Sequence, residues 1–221
     1  MKIEITVTVV SPLHLGAGTA DINVDADIVH DEYGLPYFPG RRFKGLLYES
    51  VVEVQEMAFR SGLEILQRPA VEMLFRHGEN ANLQFFVPNL YLKMGDTSYQ
   101  ELSQAWKYLE KKYGNLLTPQ DVLQSFTSLR YQTKLEDGVA AKGSLHNMRV
   151  LEPGIQFSGC VEIQGENSRQ YLPLLAAAVR NLRTAGLKRT RGFGRIACDL
   201  QIQDGQEAGK TAKDILQEVL G

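Results

Sequence analysis

A chain of 221 residues that is 43% hydrophobic and 23% charged suits one domain with insertions around a real core. Its longest apolar run, Leu174–Val179, is far short of the ~20 residues a membrane span needs, and Glu4 interrupts the segment where a secretion signal would be apolar, so a cytoplasmic location is expected. A net charge of −2 excludes a uniformly basic nucleic-acid binder, and two cysteines, Cys160 and Cys198, are too few for a disulfide framework or a zinc knuckle.

In chain order, Ile3, Ile5, Val7 and Val9 alternate with Glu4, Thr6 and Thr8, and that period of two predicts a half-buried strand over residues 2–10. A loop follows, Ser11-Pro12-Leu13-His14-Leu15-Gly16-Ala17-Gly18, and then an acidic stretch. The turn residues of Gly34–Gly40 stop just before Phe43, Leu46, Leu47, Val51, Val54, Met57 and Ala58, whose three-to-four spacing predicts an amphipathic helix. Leu83 to Leu92 reads as a second strand, with Pro88 marking an edge or a bulge. Thr97 or Ser98 is placed to cap a helix over Tyr99–Tyr113, with Leu102, Trp106, Leu109 and Tyr113 on one face. Thr118-Pro119 opens a short helix. Leu129, Tyr131, Thr133 and Leu135 alternate up to Asp137-Gly138, a hairpin turn signal. Ile155, Phe157, Gly159, Val161 and Ile163 predict another strand. Leu172, Leu175, Val179 and Leu182 predict a helix that Gly186 ends. Ile196, Cys198, Leu200 and Ile202 predict the last strand. Cys160 and Cys198 both fall in these strand patterns and are expected as buried or half-buried thiols.

Stripped of insertions at residues 11–39 and 94–149, the order is strand, helix, strand, strand, helix, strand. That is an α+β, ferredoxin-like (RRM-type) βαββαβ arrangement, expected as a single domain over residues 1–204. Residues 205–221 are expected as a peripheral tail with a short helix over 212–220. Insertions of such length in a compact domain are usually functional.

Charge is unevenly spread. No Asp or Glu lies between Asn167 and Cys198, where Arg169, Arg180, Arg183, Lys188, Arg189, Arg191 and Arg195 all fall; Asp21 to Glu32 holds five acids and no Lys or Arg. This polarity fits a basic RNA groove beside an acidic working site, and fits equally an uneven solvated surface. In Gly186-Leu187-Lys188-Arg189-Thr190-Arg191-Gly192-Phe193-Gly194-Arg195, glycines let the backbone approach a polyanion, and the interleaved cations neutralise it. Phe193 is placed to stack on a base or to brace the loop. The same run also reads as a tight basic turn without a ligand. A dinucleotide-binding reading fails, because that glycine motif opens a helix and this one opens a strand. In Gly34-Leu35-Pro36-Tyr37-Phe38-Pro39-Gly40-Arg41-Arg42-Phe43-Lys44-Gly45, the first helical turn carries Arg41, Arg42 and Lys44 against the helix dipole, a local cost that a bound anion would offset.

Together with Gln132–Asp137, Ala141–Leu145 and Arg149-Val150-Leu151-Glu152-Pro153-Gly154, these runs follow a recognisable order. Over residues 3–203 the chain resembles the RAMP superfamily (repeat-associated mysterious proteins) of CRISPR systems, and in particular the small backbone subunits of type III effector complexes. The resemblance implies an RRM-like palm that grips CRISPR guide RNA. It also implies a thumb-like hairpin, here Leu129–Val150, that wedges into the guide–target duplex near Met148 or Leu145 and carries Lys134 and Lys142. Family catalysis uses an Asp before the Gly-x-Pro-Tyr turn to promote divalent-metal-dependent attack of a target 2′-hydroxyl on the neighbouring phosphate. Asp25 best matches that position and Asp27 comes second, so Asp25 is the expected ligand of Mg2+ or Mn2+. Expected RNA contacts are His14, Arg41, Arg42, Lys44, Lys134, Lys142, Met148, Lys188, Arg189, Arg191, Phe193 and Arg195. Expected partners are guide RNA, target RNA, other RAMP subunits and a large effector subunit, with no small-molecule cofactor, no membrane and no structural zinc. Two alternatives stand beside cleavage at Asp25: a non-catalytic structural subunit with the same RNA grip, and a metal-independent endoribonuclease that processes guide RNA through His14. One departure is Arg41-Arg42, where the family commonly has small hydroxyl residues. It points to stronger phosphate gripping or to a different place in the complex.

Overall fold

The alternation at the N-terminus has the consequence its period demands. In the computed structural model, which describes residues 1–20, 24–63, 74–75, 83–114, 116–165 and 168–220, Ile3, Ile5, Val7 and Val9 are all buried. They lie on β1 (Lys2–Val9), which pairs antiparallel with β9 (Gln156–Gly165) on one side and β10 (Ile196–Ile202) on the other. β9 is long enough to take two short strands on its far edge, β3 (Leu83–Phe86) and β4 (Leu90–Lys93), and β4 in turn pairs with β2 (Tyr37–Phe38). The sheet runs β10-β1-β9-β4-β2, with β3 also on β9. The single strand expected over Leu83–Leu92 is therefore two, broken at Val87–Asn89, because Pro88 has no N–H to give to a ladder.

Two helices share the core with the apolar face of this sheet. α1 (Gly40–Arg60) buries Phe43, Leu47, Val51, Val54 and Ala58 at three-to-four spacing. It packs against α4 (Leu172–Asn181), which buries Leu172, Leu174, Leu175, Ala176, Ala178 and Val179. Each such aliphatic side chain, fully removed from water, contributes about 1.5–3 kcal/mol. The helix expected to run to Gly186 ends at Asn181 instead. Leu182 turns extended, Arg183 O accepts the Ile196 N–H at 2.9 Å, and Thr184 bridges to Arg195, so the chain already follows β10 before the glycine. Residues 205–220, expected as a peripheral tail, form α5 (Ala212–Leu220), which packs on α4 and sends Ala212 and Ile215 into the core.

The opposite face of the sheet is polar and open, presenting Glu4, Thr6, Ser158, Cys160 and Asp199. Cys160 is exposed there, whereas Cys198 is buried and desolvation pushes its thiol up to about 12. Exposure at Cys160 differs from the half-buried thiol expected. Its strand position alternates onto the open face of the sheet, away from the core.

The second insertion holds α2 (Tyr99–Tyr113), α3 (Pro119–Phe126) and a two-part hairpin. Ser98 and Thr118 cap their helices in full capping boxes with Glu101 and Asp121. The face of α2 rests on the fold only through half-buried side chains such as Leu102 and Trp106, and Tyr99 stacks on Tyr91 at 4.1 Å. The hairpin base pairs β5 (Thr127–Gln132) with β8 (His146–Leu151). Its tip pairs β6 (Leu135–Glu136) with β7 (Val139–Ala140) across Asp137 and Gly138, both at positive φ as a two-residue hairpin turn requires.

Candidate functional site

β8 is the spine on which the site is assembled. Leu13 and Leu151 exchange both backbone hydrogen bonds, at 3.1 and 2.8 Å, which brings the loop after β1 to the hairpin base. His14, 2% exposed, donates from Nδ1 to the Arg149 carbonyl at 2.7 Å. A carbonyl can only accept, so the proton sits on Nδ1. Beyond His14 the chain folds back on itself, with Gly16 bridged to Ile28, Val29 N–H on Leu15 O and Ala17 N–H on Asp27 O. That return delivers the acidic stretch to β8 again. Asp25 and Asn147 are bonded reciprocally, each backbone N–H to the other's side-chain oxygen at 2.8 Å. Ala26 bridges in parallel to Met148, and Arg149 N–H donates to Ala26 O at 3.0 Å.

The two acids end in different environments. Asp27 is 7% exposed, and its Oδ1 accepts from Arg149 Nε at 2.8 Å and from Ile28 N–H at 2.8 Å. The Arg149 guanidinium completes its bonding to Thr127 Oγ1 and Gln120 Oε1. The Asp25 side chain is 58% exposed, with His146 Nδ1 at 3.9 Å from its Oδ2.

Opposite stand the glycine-rich loop and the start of α1. Gly186 and Gly194 both have positive φ. A Cβ on Gly186 would lie 2.4 Å from His14 O, and one on Gly194 2.1 Å from Ala185 O, so both positions require glycine. Gly194 N–H donates to Pro12 O and Arg195 N–H to Ser11 Oγ, which fastens this loop to the one after β1. Pro39 offers no side-chain cap to α1 and the first turn contains no acid; the Gly40 N–H is met instead by Asn89 Oδ1 at 2.9 Å. Arg41 and Arg42 thus sit exposed at a positive helix end. Between these walls lies a cleft of about 730 Å3 lined by His14, Gly16, Asp25, Asp27, Arg41, Arg42 and Gly186 among others.

The structure therefore gathers His14, Asp25, Asp27, Arg41 and Arg42 around one space. Arg189 lines a neighbouring cleft of about 400 Å3 that shares Leu46 and Glu49 with the first. Lys188 is bonded to Gln132 of the hairpin, Arg191 and Arg195 are exposed, and Phe193 is half-buried. Lys44 points elsewhere. Its Nζ donates to Phe85 O at 3.0 Å and sits over the Phe85 ring, where burial lowers its pKa. Lys134, paired with Glu136, and Lys142 are exposed on the hairpin. Met148 is 4% exposed with its sulfur near Gln132 Nε2, whereas Leu145 is 66% exposed. Asp21 and His77 lie outside the described residues.

Sequence reasoning does not single out Arg149, Asn147 or Gly45. For Arg149 a signal exists, since a lone arginine inside Met148-Arg149-Val150-Leu151 marks a buried ion pair. Gly45 costs α1 about 1 kcal/mol relative to alanine, and nothing lies within 4 Å of the Cβ it lacks, so its gap opens onto the cleft. Among the described residues no three His, Cys, Asp or Glu are grouped to hold a metal ion. One exposed carboxylate suits Mg2+ or Mn2+, which keep their waters and share binding between a carboxylate or two and substrate phosphates.

The family model described as the RAMP superfamily matches residues 6–197. No curated protein matches the chain. Among solved structures, a chain of the Type III-B Cmr-beta bound to cognate target RNA, determined by cryo-EM, is 13% identical. That alignment covers 97% of this chain and 98% of that one with a TM-score of 0.59. A chain of the apo Type III-B Cmr-beta is 15% identical over the same shares, with a TM-score of 0.60. At these identities the likeness is one of fold.

Proposed function

The chain belongs to the RAMP superfamily, and from that premise we propose that it is a guide-RNA-binding backbone subunit of a type III CRISPR effector complex that cuts guide-paired target RNA at Asp25. The observation that carries this reading is the cleft. Exposed Arg41 and Arg42, the Gly186 turn and the exposed Asp25 carboxylate line one cleft of about 730 Å3. Cations at the start of a helix bind phosphate without reading bases. The strand order β10-β1-β9-β3/β4, with α1 and α4 on one face, reads as a ferredoxin-like βαββαβ palm. The β5–β8 hairpin, tipped by Asp137-Gly138, reads as its thumb, with exposed Leu145 as the apolar wedge.

In this reading guide phosphates lie along Arg41, Arg42 and the Lys188–Arg195 loop, and the paired target passes Asp25. A target 2′-oxygen bonds to the adjacent phosphorus while the bond to the 5′-oxygen breaks, leaving a cyclic phosphate and a free 5′-hydroxyl. Asp25 would hold the Mg2+ or Mn2+, which supplies neutralising charge at the phosphate. His14, buried and bonded to the Arg149 carbonyl, braces the loop, which favours this reading over guide processing through His14. Other RAMP subunits and a large effector subunit are the partners.

The test is expression beside the chain's genomic neighbours. Guide RNA should co-purify, and complementary RNA should be cut with Mg2+ or Mn2+ but not in EDTA. Cutting of repeat RNA in EDTA would favour guide processing. Guide binding without any cutting would favour a purely structural subunit.

A further inference from the structure

The acidic stretch runs alongside β8 of the hairpin. Residues 25, 26 and 27 meet residues 147, 148 and 149 in parallel register. Asp25 and Asn147 trade two bonds at 2.8 Å, Ala26 bridges Met148, and Asp27 is clamped by Arg149 at 2.8 Å. The partners are 122 residues apart in the chain. This contact is therefore not a local turn but a docking of one insertion on the other. At the inner end of the docking Asp27 and Arg149 are buried and paired, and at the outer end Asp25 and His146 are exposed. At that outer end Asn147 is the hairpin residue that holds the Asp25 backbone.

We propose that Asn147 is a positioning residue for Asp25, through which the seat of the hairpin on the guide–target duplex sets which target phosphate Asp25 faces. This rests on the functional reading above. The Asn147 side-chain oxygen fixes the Asp25 backbone by accepting its N–H, and the Asn147 N–H holds Asp25 Oδ2. Held in this way, Asp25 lines the cleft. A hairpin moved by the duplex carries Asp25 with it, because three consecutive residues are attached. A loop free of the hairpin would sample several phosphates, and a misplacement of about 1 Å can cost on the order of a hundredfold in rate. Cutting at a defined position is thus built into the register between these two segments.

The experiment uses the complex purified with its guide and an end-labelled RNA complementary to that guide, cleaved in single turnover with Mg2+ and resolved to the nucleotide. Asn147→Ala should slow cutting about tenfold or more and spread the cuts onto adjacent phosphates, with guide content and target affinity changed less than about twofold. Asn147→Asp keeps an acceptor oxygen for the Asp25 N–H and should restore the single cut position. Should Asn147→Ala fail to retain guide, Asn147→Thr replaces it, since a β-branched residue suits the strand and lacks the reach to Asp25. Wild-type rate and cut position in the variant that retains guide, beside an inactive Asp25→Ala, would overturn the positioning role and leave the functional reading intact. Unchanged cutting by Asp25→Ala would instead remove that reading, and the proposal with it.

Discussion

Arg149 keeps a full charge inside the protein, with only 6% of its side chain exposed, and Asp27 is what makes that tolerable. Replacing Asp27 with Asn leaves the guanidinium buried against a neutral amide and should destabilise the fold by about 3–5 kcal/mol, measured by urea unfolding. Asp25→Ala removes a mostly exposed carboxylate and should cost stability less than about 1 kcal/mol, while abolishing target cleavage in a single-turnover assay. Guide binding should change by no more than about 1 kcal/mol. If Asp27→Asn melts like the wild type, the buried pair is not holding the loop. Two acids in Val24-Asp25-Ala26-Asp27-Ile28 look equivalent in sequence. What separates them is the distance of each from Arg149, a residue that period and composition could not bring to them. The basic loop was legible because glycine and arginine declare themselves locally. Lys44 was not, since it belongs to the same basic turn as Arg41 and Arg42 and only packing shows that it turns toward Phe85.

Among the elements, those with local signals are the most legible. Ser98, Thr118 and Thr211 each receive the N–H of the third residue on and return a bond through its carboxylate. Backbone and side-chain hydrogen bonds hold Glu101, Asp121 and Asp214 below their ordinary values. Because the folded pKa values are depressed, this support is complete above the unfolded values of 4.5 for Glu101 and 3.8 for the aspartates, and is lost as pH falls through the folded ones. Circular dichroism followed downward from roughly pH 5 should therefore show a loss of helix, and Asp121→Asn should remove the share belonging to α3. An acid limb unchanged by that substitution would show that the cap does not govern the helix. The end of α4 is not where Gly186 suggests, because that glycine, a common helix terminator, is needed for something else. It lets the chain pass His14 O, and the helix has already stopped where Arg183 and Thr184 join β10.

For the whole molecule, net charge is a poor guide, since the slightly acidic chain still sets exposed Arg41 and Arg42 beside Asp25, Asp27 and Glu49 in its cleft. The two adjoining clefts share Leu46 and Glu49 of α1, with Arg41 and Arg42 lining the first and Arg189 the second. Cations of that kind grip phosphate and strengthen binding without conferring sequence preference. Arg189→Ala combined with Arg191→Ala should lower the salt slope of guide binding by about 0.7 for each phosphate no longer neutralised. Titrations at several salt concentrations check this, and an unchanged slope would leave the loop as a structural turn. The mixed α+β character was legible from periodicity, as in the alternation of Ile3, Ile5, Val7 and Val9 and the three-to-four spacing of Phe43, Leu47 and Val51. How the two insertions close on each other was not, because that closure depends on contacts 122 to 135 residues apart in the chain.

The position of β1 has a further consequence for how the chain is made. It leaves the ribosome well before both of its neighbours, and Met1 N–H finds the Ile163 carbonyl 162 residues further on. At about 5–20 residues per second, Ile3, Ile5, Val7 and Val9 wait on the order of ten seconds for a partner. During synthesis that ribbon is a sticky nascent strand with two bare edges. An unpaired strand of that kind is aggregation-prone until β9 and β10 emerge to cover its edges.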